Sequence, residues 1–256
     1  MRRSRKAFTL IEVLITLLIL GILGLAFVQI FGTTLHATGR INAENRLLNE
    51  AQIAEQIIAG KLMAAWYVYP VGTDLKFNGG GTTYNALAGS SHWVVGSDPI
   101  LAMILPPEEP GDTCVSGLSA DGCYRLLAYY AFPRSHYQTS VSASQRLQND
   151  PRNNDTWVIM EFRANLYGFT PDATCNNIPV PNGEFAGRSG RLLVEYVQPE
   201  TEAPTYKLFN ITTGGQVELR LRTRRSIAGT TLRVPGTSRP PLTLNVRARN
   251  FLVGCH

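Results

Sequence analysis

The chain has 256 residues, 44% of them hydrophobic and only 17% charged, with a formal charge of +5. That length suits one large domain, or a helix joined to a sizeable head, and the apolar share is enough for a packed core. Sparse charge with abundant Gly, Asn, Thr and Pro in the second half argues for a β-rich, loop-rich head outside the cytoplasm and against a cytosolic enzyme. A nucleic-acid binder does not follow from the total charge either, because Arg2, Arg3, Arg5 and Lys6 sit in the first seven residues and the remainder is only about +1 without them.

The first predicted element is a basic leader followed by a long apolar run. MRRSRKA precedes FTLIEVLITLLILGILGLAFVQIF, the run from Phe8 to Phe31. As a helix this run is about 36 Å long, enough to cross a bilayer, and the positive leader is expected to stay cytoplasmic. An ordinary secretory signal has a shorter apolar region that ends at a small-x-small site. Gly24-Leu25-Ala26 has that pattern, but the apolar run continues beyond it. A plain signal anchor fits the length and leaves Glu12 unexplained. A carboxylate inside such a run costs about 2.5–3.5 kcal/mol on insertion scales, so an acid there points to function. The pair Arg2-Arg3 reads as leader charge rather than a twin-arginine signal.

The segment KAFTLIEV, Lys6 to Val13, closely resembles the cleavage and methylation motif of type IV prepilins and type II secretion pseudopilins. The resemblance covers residues 1 to about 70, and its first third is diagnostic. It implies a cut between Ala7 and Phe8 by a prepilin peptidase, N-methylation of Phe8, and an assembly role for Glu12. Ala7 stands where the family usually has Gly, which bears on the rate of processing. Cleavage would create a cationic amine at membrane depth, and Glu12 would neutralise the amine of a neighbouring subunit, so that two costly charges cancel on assembly. The implied organisation is a leader at 1–7, a transmembrane and filament-core helix at 8–31, its amphipathic continuation at 32–69 and an extracytoplasmic head at 70–256. The implied fold class is α+β, a long N-terminal helix packed on an antiparallel β-sheet head, pilin-like.

No proline occurs before Pro70, so residues 8 to about 66 read as one helix with candidate bends at Gly21, Gly24, Gly32 and Gly39. Its second half carries Leu47, Leu48, Ala51, Ala54, Ile58, Leu62 and Ala65 at three-and-four spacing, an apolar face suited to a sheet or to neighbouring subunits. Beyond it the pattern turns to strands and loops. Strands are expected at His92–Val95, Tyr124–Phe132, Thr156–Phe162, Arg191–Val197 and Tyr206–Ile211. Val217–Arg222 and Leu242–Arg249 alternate with period two and read as neighbouring antiparallel strands. Turns or loops are expected at Gly79–Gly81, Pro106–Gly111, Gln148–Asn154 and Pro235–Pro241.

Four cysteines in an exported head suggest two disulfides. Cys114 and Cys123 flank a short loop and read as a local pair, which leaves Cys175 for Cys255. Four cysteines allow three pairings, and free or metal-bound thiols are the alternative, although no C-x-x-C or nearby His pair supports zinc. Residues 216–249 hold eight Arg against one acid, Glu218. Arg220, Arg222, Arg224, Arg225, Arg233, Arg247 and Arg249 can then line one face of a two-strand ribbon. Such a face would be a solvated, aggregation-resistant surface, a contact for an acidic neighbouring pilin, or a contact for DNA phosphates with strong salt dependence.

No protease, hydrolase, P-loop or dinucleotide motif occurs, the four histidines (His36, His92, His136, His256) are scattered, and no enzyme, cofactor or metal is expected. DPRNND at Asp150–Asp155 has oxygens suited to calcium but reads better as a turn. The size of the head is similar to that of PilW-like minor pilins or GspJ-like pseudopilins. The resemblance thus implies a minor type IV pilin that primes assembly and supports twitching, adhesion or DNA uptake. A type II secretion pseudopilin is the alternative, and an anchored exported binding domain that never polymerises is a third. The implied partners are other pilins or pseudopilins, the prepilin peptidase, an inner-membrane assembly platform and the inner membrane. The implied location is the bacterial inner membrane with the head outside, then a pilus or periplasmic pseudopilus.

Overall fold

The computed structural model describes residues 10–77, 80–116, 121–171, 177–185, 188–203, 205–212, 216–227, 229–236 and 238–248. The chain divides into two compact units, Met1–Arg46 and Leu47–His256. Helix α1, Leu10–Ala64, begins in the first and ends in the second and runs unbroken through Gly21, Gly24, Gly32 and Gly39. It ends where the Trp66 amide is captured by the Ile104 carbonyl at 2.8 Å, which turns the backbone into a sheet.

Within the second unit, the expected apolar stripe is the buried face of α1. Leu47, Ala51, Ala54, Ile58, Leu62 and Ala65 are all buried, and Leu48 is half-buried. Ile53 on the opposite side is 56% exposed. Small residues at Ala51, Ala54 and Ala65 bring the helix backbone close to what it covers.

The main sheet has seven antiparallel strands. They are β1 (Tyr67–Val68), β4 (Ile100–Leu105), β5 (Tyr124–Pro133), β6 (Trp157–Leu166), β7 (Arg191–Val197), β10 (Thr223–Ile227) and β11 (Thr230–Val234), in the order β1-β4-β5-β6-β7-β10-β11. Register sets its faces. Leu101, Tyr129 and Glu161 form one cross-strand row, and Ile100, Tyr130 and Met160 form the next on the other side. Helix charges act on the first face and its rim: Lys61 acts on Glu108, as Arg163 does, and Glu50 acts on Glu195. The second face is covered by the hairpin β2 (Asp74–Lys76) and β3 (His92–Val94), whose Trp93 packs on Tyr130 at 4.8 Å while Phe77 stacks on Phe162 at 4.5 Å.

A smaller sheet, order β12-β9-β8, joins β12 (Leu242–Arg247), β9 (Gln216–Leu221) and β8 (Phe209–Thr212). The two alternating segments pair antiparallel as expected, Val246 opposite Val217 and Leu244 opposite Leu219, so their apolar residues share the inner face. A short helix α2, Arg134–Ser140, follows β5 directly.

Three expectations need correction. Strand β4, ILAMIL, was not expected, because it is buried at every position and lacks the alternation that marks a half-exposed strand. Hairpin β10–β11 lay hidden in the arginine-rich stretch. The arginines do not form one ribbon face: Arg220 and Arg247 lie on the small sheet, whereas Arg224, Arg225 and Arg233 lie on the large one. The chain crosses between sheets at Arg222, whose carbonyl accepts from the Gln198 amide at 2.8 Å.

Candidate functional site

In the first unit, α1 is apolar over most of its described N-terminal stretch, and every large side chain from Leu10 to Phe31 is exposed. A helix that is hydrophobic all round is built for lipid or for other helices, not for water. Its few polar groups are handled locally. The Thr16 hydroxyl donates back to the Glu12 carbonyl, and Thr34 donates to Ile30 at 2.8 Å, so neither carries an unmet donor into the apolar layer. Glu12 occupies the first turn of the helix and is exposed. There a carboxylate is favoured by the helix dipole.

In the second unit, the arginine stretch is largely consumed inside the head. Arg224 bonds Glu202 and reaches Asp155 at 2.6 Å, and Arg233 reaches the same Glu202 at 3.4 Å. Arg225 lies over the Tyr196 ring at 4.6 Å and faces Asp150 at 3.5 Å. On the other side of that network is Arg134, fully buried, 5.4 Å from the Tyr196 centroid and 3.4 Å from Glu195. Arg134 also donates to the Gln148 carbonyl at 2.6 Å and to Asn154 Oδ1 at 3.3 Å. Tyr196 thus has two guanidiniums against it, its hydroxyl donates to Asp150 at 3.1 Å, and its backbone takes φ +62°, a conformation rare for an aromatic residue. Burial pushes its phenol up to about 12. Burial also raises Glu195, against the pull of Arg134.

This clasp accounts for the DPRNND segment. Asp150 and Asp155 serve arginines, Asn154 serves Arg134, and the buried Asn153 accepts from the Ser226 amide at 2.6 Å and donates to the Ser226 carbonyl at 3.0 Å. The side-chain oxygens that suited calcium are engaged by arginines and by a backbone amide, and among the described residues no cluster of three metal-binding side chains occurs. Sequence reasoning missed Arg134, Tyr196 and Asn153, whose partners are scattered from 148 to 226.

Residues 2–28 match the prokaryotic N-terminal methylation motif. The chain carries a prepilin-type signal. This motif spans the basic leader, Phe8, Glu12 and most of the exposed apolar run, and it supports a pilin or pseudopilin of a type IV or type II system. No curated protein and no solved structure matches the chain. Ala7 and Phe8, the residues expected to flank the cut, lie outside the described residues. In the head of this prepilin-type chain, Cys114 and Cys123 form a disulfide with their Cα atoms 4.6 Å apart. Beside it, a Cβ on Gly122 would lie 2.0 Å from the Asp112 carbonyl oxygen. Cys175, Cys255 and Arg249 lie outside the described residues.

Proposed function

We propose that this chain is a minor type IV pilin, a non-catalytic filament subunit that helps prime assembly. The observation that carries the reading is the methylation motif continuing directly into an exposed apolar helix with Glu12 in its first turn. In this mechanism the peptidase cuts between Ala7 and Phe8, and Phe8 becomes N-methylated. The subunit waits in the inner membrane with its head outside. Transfer from lipid to a bundle of like helices keeps the apolar surface out of water throughout, so the apolar residues neither drive nor oppose extraction strongly. What changes is the charge balance. Glu12 gains the N-terminal amine of a neighbour at a depth where either charge alone is costly. The pair gives register and order of addition.

The deciding test is Glu12→Ala in the native host. The expected result is normal processing and membrane insertion, with incorporation into sheared filaments reduced at least about tenfold, the equivalent of one 1.4 kcal/mol step. Unchanged incorporation would overturn the assembly role of Glu12, and absence of the wild-type chain from sheared filaments would support the anchored domain that does not polymerise. The motif is shared by type II pseudopilins, and a mature chain confined to the cell envelope would favour that class.

The second proposed disulfide, Cys175–Cys255, would pin the C-terminus and is checked by peptide mapping without reduction. Among the described residues of the set, an anionic partner, such as an acidic neighbouring subunit, would use Arg220, Arg222 and Arg247, because Arg224 and Arg225 are held by acids of the head. DNA is the less favoured partner. Arg220 itself pairs with Glu218 at 2.8 Å, and Arg222 donates to the Arg239 carbonyl at 2.6 Å.

A further inference from the structure

We propose that α2 and the segment that returns from it form the ridge of a binding site for an acidic polysaccharide, with a cleft for a sugar unit on each side. The inference concerns the head alone and stands independently of the filament role. The first cleft, of about 500 Å³, is lined by residues that include Ser140, Ser142, Gln145, Arg188, Ser189 and Arg191. The second, also of about 500 Å³, is lined by residues that include Ser135, Thr139, Arg146, Asn149 and Asn154. Helix α2 borders both, with Ser140 in one and Ser135 and Thr139 in the other. Clefts of this size are typical of small-ligand sites, and two that share a ridge suit a ligand shaped as a chain.

The ridge is tied down from both sides. The Tyr137 hydroxyl donates to the Gln145 carbonyl at 3.2 Å on the side of the first cleft. Gln138 Nε2 donates to the Leu147 carbonyl at 3.1 Å on the side of the second. The fully buried Arg134 fixes the start of α2. Another wall of the first cleft is equally fixed. The Gly190 amide donates to Thr82 Oγ1 at 2.9 Å, and the Tyr130 hydroxyl donates to the Thr82 carbonyl at 2.9 Å. A Cβ on Gly190 would lie 2.3 Å from that hydroxyl oxygen, so only glycine fits there. Preformed clefts cost a ligand little in ordering the protein.

The chemistry of the linings selects the ligand. Among the described residues no carboxylate lines either cleft, whereas three arginines do. Arg146 and Arg191 are exposed and make no ion pair among the described residues, unlike Arg224 and Arg225. A guanidinium takes a carboxylate through two parallel hydrogen bonds. The other polar groups are hydroxyls and amides, which match sugar hydroxyls by both donating and accepting. Ser142 donates to Gln145 Oε1 at 2.9 Å and Arg134 to Asn154 Oδ1 at 3.3 Å, which holds each amide by its oxygen and leaves its NH₂ group to donate. A nucleic acid would need cations along a track of phosphates, and here they stand one or two to a cleft among hydroxyls.

The experiment uses the full chain in detergent micelles, with a uronic acid trimer as the probe and the backbone amide resonances of residues 140–147 as the readout. The expected result is saturable shifts in that segment, with affinity at least tenfold above that for a glucose trimer and weakened by salt. Arg146→Gln and Arg191→Gln should each weaken binding about tenfold, the loss of one charge-assisted pair. Arg220→Gln, on the small sheet, should leave it unchanged. Both tested arginines are exposed, so neither change opens the core. The proposal is overturned if the segment does not shift, if the glucose trimer binds as well, if duplex DNA displaces the uronic acid trimer, or if either of the two variants binds like the wild type.

Discussion

Arg134 shows how a single buried charge organises the head. It is fully enclosed, and its partners come from positions 148, 150, 154 and 195, none of which is near it in sequence. Arg134→Met should therefore cost about 2–4 kcal/mol in urea unfolding, because two carbonyls and the raised acid Glu195 lose their donor. Asn153→Ala should cost about 1–3 kcal/mol, since the Ser226 amide and carbonyl lose both bonds. At this scale the sequence was informative where chemistry is local and silent where it is not. KAFTLIEV is contiguous and was legible. The neutralisation of Arg224 by Glu202 and Asp155 was not, because no spacing rule connects residues from three separate elements. An arginine-rich segment was thus read as a surface when much of it is internal wiring.

At the scale of elements, periodicity carries most of the information. The α1 stripe and the β9–β12 pairing were both visible as repeats of three-and-four and of two, and each appears with the expected inner face. Strand β4 escaped for the opposite reason: burial on both faces erases the repeat. The two sides of α1 provide a paired test. Ile58→Ala should cost about 2–5 kcal/mol of head stability by opening a cavity under the helix, whereas Ile53→Ala, on the exposed side, should stay within about 0.5 kcal/mol. The disulfide loop is a further element with its own demand. Gly122→Ala should prevent the loop from closing as it does here, since a backbone carbonyl occupies the place of the added methyl. Removing the Cys114–Cys123 link, which spans nine residues of sequence separation, should cost about 2–3 kcal/mol by freeing the unfolded chain. Thermal unfolding with and without reductant measures both effects.

At the scale of the whole molecule, the chain joins two units of different character. The first carries an apolar helix whose described large side chains from Leu10 to Phe31 are exposed, and the second has a continuous core of its own. Such a helix suits lipid or neighbouring helices, and the methylation motif fits inner-membrane anchoring before assembly with other pilins. The fold class and the N-terminal signal were legible because both are written as local patterns of charge and hydropathy. The contact surfaces of the head with other subunits were not, because partner choice depends on exposed side chains that no periodicity constrains. The measurement that tests the central claim most directly is the N-terminal sequence and intact mass of the protein from native cells, in membrane and sheared-filament fractions. The account predicts a chain that begins with N-methylated Phe8 and is present in filaments. An intact Met1, or a chain that starts after Ala26, would contradict it.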